Sequence, residues 1–507
     1  MAYRSELPRI CVALGCAAAA ELDKLAGAAC AQGEEFLELR LDALEEPEQG
    51  LAVIRRLRRR YPEVWLLATC RRKPNGGGFG GGVEEQLRLL EGAVEAGARA
   101  VDLEVQTAAR NPELAAKLRA RAKLIVSHHD FEATPALGPL LKGLRKIPAD
   151  CHKLVTTARK PTDNWRVLEL AGQAARQEGG SLVALAMGLA GVPSRLLALA
   201  RGAAFTYAAA GGEGQPTAPG QVASRAMRRQ YRVERHTADT EVYGVIANPV
   251  GHSISPAVHN RAFHARRVDA IYVPFQVEER QVGDFVALAG KLPVAGFSVT
   301  IPHKQRILRY LDAMDAPAHR IGAVNTVYRR QGRLRGTNTD AAGVTAPLEK
   351  RRKLKNAKVL VAGNGGAARA AVFAVAERGA RVWLTGRNPA RVRALARLCG
   401  ATPIDRERLG GVGFDVLIHA TPLGMSPRAE ECFFPDAIPG ELVFDLVYNP
   451  QETLLLRRAG AAGKQVIAGL EMFLEQAAAQ FEIWTGMAAP RMAMEAAARE
   501  ALCCNQT

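Results

Sequence analysis

Lys153 and His129 are the residues whose types and positions most clearly suggest chemistry. They lie at or near the ends of two successive short apolar runs, Lys123–Ser127 and His152–Thr156. Neighbouring strands lie about 4.8 Å apart, so inward side chains at matching heights on two such strands can meet. A neutral lysine amine can attack a ketone to form an iminium, and a histidine can remove the proton next to it. A lone lysine in such a place is more often structural, but the nearby histidine and several arginines favour catalysis.

Eight apolar runs of this kind precede residue 210 and alternate with helix-like segments such as Val83–Ala96. Eight strand–helix units predict a (β/α)8 TIM barrel, with a doubly wound open sheet as the alternative. The runs are Arg9–Leu14, Glu35–Leu41, Val64–Thr69, Arg99–Val105, Lys123–Ser127, His152–Thr156, Ser181–Ala186 and Ala203–Tyr207.

The composition is that of a globular enzyme, with 48% hydrophobic and 23% charged residues among 507. The formal net charge of +17 is compatible with nucleic acid or with small anionic ligands. The basic runs Arg55–Arg60 and Arg351–Lys355 carry no interleaved aromatic residues, so we interpret them as solvated surfaces. We therefore predict small-molecule substrates and no nucleic-acid partner.

No apolar stretch is long enough to cross a membrane, the N-terminus lacks a signal pattern, and the nine cysteines form no CxxC motif. These features predict a cytoplasmic protein with free thiols and no membrane partner. We predict no metal site. The sequence does not indicate the oligomeric state.

The length of the chain predicts more than one domain. The apolar pattern stops near Arg232–Thr240, and a second series of runs follows at Glu241–Ile246, Ala270–Phe275 and Val294–Val299. A third series begins at Lys358–Gly363. We therefore predict a barrel over residues 1–235, a second domain over 240–345 and a third, with C-terminal helices, over 346–507.

Polar residues of the second run, Glu38, Arg40 and Asp42, alternate with leucines and so share one face of a strand. Inside a barrel they need hydrogen-bond partners, either one another or a polar, hydroxylated acid. Arg71 follows the third run and precedes a glycine-rich stretch, 75–82, that lacks the Gly-Lys-Ser/Thr ending of a phosphate loop. We interpret this stretch as a mobile lid or a flexible turn.

The sequence Gly363-Asn-Gly-Gly-Ala-Ala368 follows an apolar run and opens a helix-like segment. This GxGxxA variant is typical of a loop that approaches the pyrophosphate of a dinucleotide at a helix N-terminus. The next run, Arg381–Thr385, leads to Arg387. Arginine at this point favours the 2′-phosphate of NADP, with Arg391 as a second contributor, and a basic surface turn is the alternative.

The first part of the chain resembles the type I 3-dehydroquinate dehydratases over nearly all of residues 8–232. The motifs are Glu38-Leu-Arg40-Leu-Asp42, Ser-His-His129-Asp-Phe-Glu-Ala-Thr-Pro, Asp-Cys-His-Lys153, Pro-Ser-Arg195-Leu and Ala-Pro-Gly-Gln221. The resemblance implies that Lys153 forms a Schiff base with the substrate ketone and that His129 is the general acid and base. The implied substrate contacts are Glu38, Arg40, Arg71, Arg195, Thr217 and Gln221. Ala13 and Thr217 depart from the family pattern, which has serine at both positions.

Residues 240–490 resemble shikimate dehydrogenase. The motifs are Gly-His-Ser253-Ile-Ser255-Pro, Ser-Val-Thr300-Ile-Pro-His-Lys304, Gly-Ala-Val-Asn325-Thr, Asn-Thr-Asp340, His-Ala-Thr421-Pro-Leu-Gly-Met425 and Asp445-Leu-Val-Tyr448-Asn-Pro. The resemblance implies a two-lobed α/β dehydrogenase with a C-terminal Rossmann-type NADP-binding domain, in which Lys304 and Asp340 form the catalytic pair. The implied substrate contacts are Ser253, Ser255, Thr300, Asn325, Tyr448 and Gln476. The implied NADP contacts are Gly363, Asn364, Gly365, Gly366, Ala367, Arg387, Asn388, Arg391, Thr421, Met425 and Gly469.

The two resemblances together predict one bifunctional enzyme of the shikimate pathway, a lyase and an oxidoreductase. The barrel would dehydrate 3-dehydroquinate to 3-dehydroshikimate, and the second half would reduce that product with NADPH to shikimate. The product of one half is the substrate of the other, so each expectation supports the other. The alternatives are a quinate/shikimate dehydrogenase of broader specificity in the second half and a non-catalytic binding protein.

Overall fold

The computed structural model describes residues 7–177, 181–211 and 216–504, which form two compact units. The first unit comprises the described residues up to Thr240 with Val273–Val277 and Gly283–Pro293. The second comprises Glu241–Tyr272, Glu278–Val282 and the described residues from Val294. The domain limits given above stay a prediction.

The first unit contains an eight-stranded parallel sheet in the order β7-β6-β5-β4-β3-β2-β1-β8. Next to its open seam, the Ala204 amide donates a hydrogen bond to the Leu182 carbonyl at 2.9 Å, which brings the two edge strands together. The strands are β1 (Ile10–Leu14), β2 (Phe36–Arg40), β3 (Trp65–Thr69), β4 (Ala100–Glu104), β5 (Lys123–His129), β6 (Cys151–Thr157), β7 (Leu182–Met187) and β8 (Thr206–Ala209). The predicted barrel is confirmed; the largest difference from the predicted runs is in β8, which begins three residues later.

Helices follow the strands and cover the outer face of the barrel. Leucines and valines that alternate with the inward residues, such as Leu37, Leu39 and Val101, are fully buried and face these helices. The helices are α1 (Ala19–Ala31), α2 (Gln49–Arg60), α3 (Val83–Glu95), α4 (Val105–Arg110), α5 (Pro112–Arg121), α6 (Leu137–Leu144), α7 (Thr162–Ala175) and α8 (Val192–Leu197).

The interior of the barrel changes from apolar to polar along the strands. Phe36 and Phe205 are fully buried near the strand starts and pack edge to face, with ring centroids 5.3 Å apart. Further along, strand register sets Glu38 at the level of Leu67, and Thr69 at the level of Asp102. The polar residues therefore lie toward the carboxyl ends of the strands, where active sites of such barrels are built.

After the barrel, the chain forms a mixed sheet in the order β10-β9-β11-β13-β14-β12, and all of it except residues 273–276 of β10 belongs to the second unit. The first three runs predicted here are β9 (Glu241–Ala247), β10 (Ala270–Gln276) and β11 (Val294–Val299). Three further strands lie between Val299 and Lys358, where no run was predicted: β12 (Ala313–Met314), β13 (Thr326–Arg330) and β14 (Arg333–Thr337). β13 and β14 carry four arginines, so their alternation of apolar and polar residues is weak.

A parallel sheet follows in the order β17-β16-β15-β18-β19-β20, with β15 between β16 and β18. The chain reverses its winding direction beside β15, and a crevice at such a reversal is where dinucleotides bind. The strands are β15 (Lys358–Ala362), β16 (Arg381–Thr385), β17 (Thr402–Pro403), β18 (Val416–His419), β19 (Leu442–Asp445) and β20 (Gln465–Ile467).

The last two helices of the chain pack on the mixed sheet. Phe481, Met494 and Leu502 share one apolar cluster with Tyr243 and Phe263 of that sheet and its helix. The remaining helices of the chain are α9 (Ser255–Arg266), α10 (Val282–Lys291), α11 (Ala316–Ile321), α12 (Asp340–Glu349), α13 (Gly366–Glu377), α14 (Pro389–Cys399), α15 (Leu454–Ala461), α16 (Gly469–Thr485) and α17 (Arg491–Cys504). None of the helices in the described part of the chain combines the length and apolar character that a bilayer crossing requires.

Candidate active sites

The amine of Lys153 is buried inside the barrel and lies among acceptor oxygens. Its side chain is 3% exposed, and Nζ donates to Asp102 Oδ2 at 2.7 Å and to the Tyr207 hydroxyl at 2.9 Å. Glu38 Oε1 lies 3.7 Å away. Burial alone would raise the pKa of Asp102, but Lys153 and Arg71 hold that pKa below its ordinary value. The resting amine is therefore held in an ion pair with Asp102.

His129 ends β5, two residues beyond Ser127, which pairs with Lys153 across β5 and β6. Its ring stacks on Phe131 with centroids 5.9 Å apart. Burial and the positive charges of Arg71 and Lys153 lower the pKa of His129 well below 6.5. The imidazole is thus neutral at neutral pH and can accept a proton.

Arg40 is held in a fixed orientation by Asp42. Its Nε and Nη2 atoms donate to the two carboxylate oxygens at 2.9 and 2.7 Å. Although burial opposes it, the hydrogen bonds and charge of Asp42 raise the pKa of Arg40. The Gly78 amide also donates to Asp42, at 3.0 Å. The pair thus presents a guanidinium whose far side is available to a ligand.

The glycine-rich stretch 75–82 is held against the barrel. The Phe79 amide donates to the Arg71 carbonyl at 3.0 Å. A Cβ on Gly77 would lie 2.0 Å from that same carbonyl oxygen, so only glycine allows the approach. The glycines therefore permit close backbone contact, and the predicted lid or flexible turn stays a prediction.

Two further arginines point to an anionic ligand. Arg71 and Arg195 are 5% and 2% exposed, and the Nε atom of each is buried without a hydrogen-bond partner in the described structure. Arg195 Nη2 donates to the Pro219 carbonyl over a long distance, 3.4 Å. Burial lowers the pKa of Arg195 to about 10. A carboxylate would satisfy both guanidinium groups and offset the cost of burying them.

Gln221 and Thr217 belong to one tight loop. The Gln221 Oε1 atom accepts from the Thr217 amide at 2.8 Å, so a ligand contact from Gln221 would have to come from its amide nitrogen. Gly220 has φ of +77°, and a Cβ there would lie 2.3 Å from the Gly188 carbonyl oxygen. The loop is thus seated on the segment that follows β7.

In the second unit, Lys304 and Asp340 meet although 36 residues separate them. Lys304 Nζ donates to Asp340 Oδ2 at 2.5 Å, and Asn325 Nδ2 donates to the other carboxylate oxygen at 2.7 Å. The two ionic side chains are 14% and 5% exposed. A Cβ on Gly366 would lie 3.0 Å from Lys304 Cδ, so the lysine stem runs beside the glycine loop.

Most candidate substrate contacts in this unit lie at one end of the strands of the mixed sheet, the carboxyl end of β9 and β11. Ser253 and Ser255 follow β9, Thr300 follows β11, and Asn325 precedes the antiparallel β13. Gln476 joins them from α16, since its Oε1 accepts from Asn325 Nδ2 at 3.4 Å. Tyr448 packs its ring on Phe473, and burial raises its pKa to about 12.

A network of hydrogen bonds between buried side chains lies next to these candidate substrate contacts. The sequence did not indicate this network. The Tyr272 hydroxyl donates to Ser298 at 2.6 Å, and the Ser298 hydroxyl donates to Gln480 Oε1 at 2.9 Å. Gln480 Nε2 in turn donates to Thr326 at 3.0 Å. The network couples β10, β11, β13 and α16, and so keeps Asn325 in place.

The glycine loop fits a dinucleotide. Gly363 has φ of +134°, and a Cβ there would lie 2.6 Å from the Ala420 carbonyl oxygen. Gly365 has open space where its side chain would be, and no side chain caps the helix that begins at Gly366. The first amides of that helix, including Ala367, are therefore free to bind an anion. The side-chain Nδ2 atom of Asn364 lies 3.7 Å from the position that a Cβ on Gly386 would take.

The residues after β16 differ in their exposure and hydrogen bonding. Arg387 and Arg391 are exposed, as a 2′-phosphate contact requires. Asn388, in contrast, uses Oδ1 to accept from the Arg391 amide at 3.0 Å and so caps α14. Gly469 is also structural, since a Cβ there would lie 2.3 Å from the Val447 carbonyl oxygen. Contacts of Asn388 and Gly469 with a cofactor stay predictions.

Thr421 is held by a chain of buried polar groups at the ends of β18 and β19. His419 contacts Asp445 Oδ1 through Nδ1 at 2.8 Å and Thr421 Oγ1 through Nε2 at 2.5 Å. Thr453 donates to the second Asp445 oxygen at 2.6 Å. Met425 lies beyond Thr421 and is 41% exposed. This series of hydrogen bonds holds Thr421 in place. Thr421 lies beside the glycine loop, because the carbonyl of the preceding residue, Ala420, lies against Gly363.

Comparisons with known proteins match three separate stretches of the chain to family models. Residues 10–238 match the model of type I 3-dehydroquinase, 245–327 that of the shikimate dehydrogenase substrate binding domain, and 469–499 that of the shikimate 5'-dehydrogenase C-terminal domain. The bifunctional 3-dehydroquinate dehydratase/shikimate dehydrogenase, chloroplastic, of Arabidopsis thaliana is 34% identical over 484 residues, which is 90% of this chain and 79% of that protein. The chain belongs to the bifunctional 3-dehydroquinate dehydratase/shikimate dehydrogenase family.

Shorter relatives match the second half of the chain alone. Shikimate dehydrogenase (NADP(+)) of Methanothermobacter thermautotrophicus is 40% identical over 278 residues, which is 52% of this chain and 98% of that protein. The crystal structure of shikimate 5-dehydrogenase from Thermus thermophilus in complex with NADP(H) and shikimate is 36% identical, with a TM-score of 0.49. The match covers 52% of this chain and 99% of that one.

Within this bifunctional chain, sequence reasoning missed several residues of the sites. Asp102 stands in Val-Asp-Leu-Glu, where polar and apolar residues alternate as they do around Glu38, so the same signal could have found it. Tyr207 and His419 carry no such signal. Each stands at the end of an apolar run, and only the register between strands shows what it touches.

The His419 chain yields a stability prediction. His419→Ala leaves the Asp445 carboxylate buried with fewer partners, which we expect to destabilise β18 and β19 locally by about 1–3 kcal/mol. Hydrogen exchange of peptides from these strands measures the change. The exposed His319, replaced in the same way, is the matched control and should leave exchange unchanged. Equal protection in the two variants would contradict the structural role.

Proposed function

We propose that this chain catalyses two consecutive reactions. The barrel dehydrates 3-dehydroquinate to 3-dehydroshikimate, and the second unit reduces 3-dehydroshikimate to shikimate with NADPH. The observation that carries the proposal is that each unit holds one lysine amine paired with a buried aspartate, Lys153 with Asp102 and Lys304 with Asp340. The Arabidopsis relative, whose name combines the same two activities, supports it along most of the chain.

In the barrel, Lys153 would attack the substrate ketone and form an iminium after water leaves. His129 would then remove a proton from the adjacent carbon, since its imidazole is neutral. The electron pair would be drawn toward the iminium nitrogen, and the hydroxyl one carbon further would leave with the proton that His129 has taken up. Water would then hydrolyse the product iminium, which breaks the C–N bond and restores the Lys153 amine. Arg71 and Arg195 would hold the substrate carboxylate, with Arg40, Glu38, Gln221 and Thr217 around its hydroxyls.

In the second unit, NADP would be held by the loop from Gly363 to Ala367, by Arg387 and Arg391, and by Thr421 and Met425. The chemistry that bound NADPH supplies is hydride donation to the ketone. Lys304 would give a proton to the oxygen as it becomes an alcohol, while Asp340 and Asn325 orient the amine. Ser253, Ser255, Thr300, Tyr448 and Gln476 would contact the cyclic acid.

A cytoplasmic location is a narrower proposal that rests on the sequence alone. Both substrates carry a carboxylate, and the net charge of +17 suits anionic ligands.

Separate lysine substitutions should separate the two activities. Borohydride reduction in the presence of 3-dehydroquinate should leave a stable adduct on Lys153, found by peptide mass mapping. Lys153→Ala should abolish the adduct and the dehydration but keep the reduction. Lys304→Ala should keep the adduct and slow the reduction by roughly 10²–10⁴-fold. An adduct on another lysine, or loss of both activities in either variant, would contradict the assignment.

The pH dependence of dehydration follows from the lowered pKa of His129. His129 acts as the base only when its imidazole is neutral. Its pKa lies well below 6.5, so kcat/KM should stay constant down to pH 6.5 and fall only at lower pH. The enone absorbance of the product measures the rate. Among the groups that lower the pKa of His129, His128 has the smallest effect, so His128→Gln should leave the pH at which kcat/KM falls nearly unchanged. A fall in kcat/KM that already occurs at or above pH 6.5, and that His128→Gln does not change, would rule out His129 as the base.

Cofactor preference tests the residues after β16. Arg387→Ala should raise KM for NADPH roughly tenfold and change KM for NADH little, because only NADPH carries the 2′-phosphate. Steady-state kinetics of 3-dehydroshikimate reduction provide the measurement. Arg393 is an exposed arginine on α14, the helix that follows Arg387, and serves as the matched control, with no change expected. An equal change in KM for NADPH and for NADH would show that Arg387 does not bind the 2′-phosphate.

A further inference from the structure

The hydroxyl of Tyr207 lies beside the reacting nitrogen of the barrel. Tyr207 is on β8, where its Cα pairs with that of Cys11, and the residue is 4% exposed. Its oxygen accepts from Lys153 Nζ at 2.9 Å, and Nζ lies 4.4 Å from the ring centroid. A phenol and the attacking amine are therefore already in contact before a ketone arrives.

Tyr207 differs from the other groups around Nζ because it can donate a proton and accept one at the same time. Asp102 accepts through both oxygens, from Lys153 at 2.7 Å and from Ser127 at 2.6 Å. Glu38 accepts from Thr69 at 2.7 Å and lies 3.7 Å from Nζ. Burial and the charge of Glu38 raise the pKa of Tyr207 well above 10, so it stays a neutral phenol.

Amine attack on a ketone places nitrogen and the former carbonyl oxygen on the same carbon. A hydroxyl within hydrogen-bond distance of that nitrogen is therefore close to that oxygen as well. His129 is set further along, two residues beyond the level at which β5 pairs with Lys153. From this position His129 can remove the proton from the carbon next to the ketone. Protonation of the former carbonyl oxygen then requires another group.

We propose that Tyr207 is a catalytic residue that relays a proton from the Lys153 nitrogen to the ketone oxygen as the carbinolamine forms. The inference rests on the proposed dehydration. The N–C bond forms and the C=O π pair moves to oxygen, which takes the phenolic proton while the phenol oxygen takes a proton from nitrogen. The proton that the ammonium first gives to Asp102 goes to the departing hydroxyl, so water and a protonated iminium result. Tyr207 is neutral before and after, and no oxidant or reductant is needed.

Tyr207→Phe tests the relay, because it removes the hydroxyl and keeps the ring that packs against Phe205. We expect the rate of borohydride-trappable adduct formation on Lys153, in single turnovers with 3-dehydroquinate, to fall at least about 100-fold. KM should change little. With substrate deuterated at the carbon that loses its proton, the isotope effect on kcat should fall toward one, because carbinolamine formation becomes limiting.

The controls separate the relay from a structural role and from the proposed function. Tyr231, another buried tyrosine of the same unit, replaced by Phe should change none of these quantities. Reduction of 3-dehydroshikimate by the Tyr207→Phe chain should be normal. Fluorotyrosine at 207 keeps the hydroxyl and should keep the trapping rate. An unchanged trapping rate, or a slower turnover with an unchanged isotope effect, would overturn the relay. Absence of any Lys153 adduct in the unaltered protein would overturn the proposed dehydration itself.

Discussion

An amine buried inside the barrel loses most of its hydration, and the carboxylate of Asp102 makes this burial tolerable for Lys153. Removing an ammonium from water costs several kcal/mol unless charge and hydrogen bonds replace the solvent. The replacement here is made of Asp102, Glu38 and the Tyr207 hydroxyl. Arg71 then faces Asp102 at 3.8 Å, and the same positive charges keep His129 neutral. The charge state of each group thus depends on its neighbours, and the ion pair of Lys153 is at their centre.

The two lysines are placed differently, and the difference suits the chemistry proposed for each. Lys153 is 3% exposed and would form a covalent bond, for which water is a competitor. Lys304 is 14% exposed and would give away a proton in every turnover, which has to be replaced from solvent. Both depend on an aspartate held by another group, Ser127 for Asp102 and Asn325 for Asp340. In both units the aspartate cannot rotate away, so the amine keeps its direction.

Close backbone contacts position the loops that surround both sites. Gly77 lies against the Arg71 carbonyl, Gly220 against Gly188, and Gly363 against Ala420. A side chain at any of these three positions would collide with a backbone oxygen, so the contacts specify glycine more strictly than flexibility would. The loops that carry Arg71, Gln221 and Thr421 are positioned by these contacts. The glycine-rich stretch after β3 is therefore part of the site's framework.

The sequence by itself determined the barrel, the nucleotide loop and most of the charged site residues, because strand periodicity and inward polar residues leave a local pattern. It did not reveal β13 and β14, whose arginines obscure that pattern. Only the tertiary structure brought Lys304 to Asp340 and Tyr207 to Lys153, which are 36 and 54 residues apart. Such contacts depend on strand register and sheet order. These are set by packing of the whole unit, so no local run of residues can encode them.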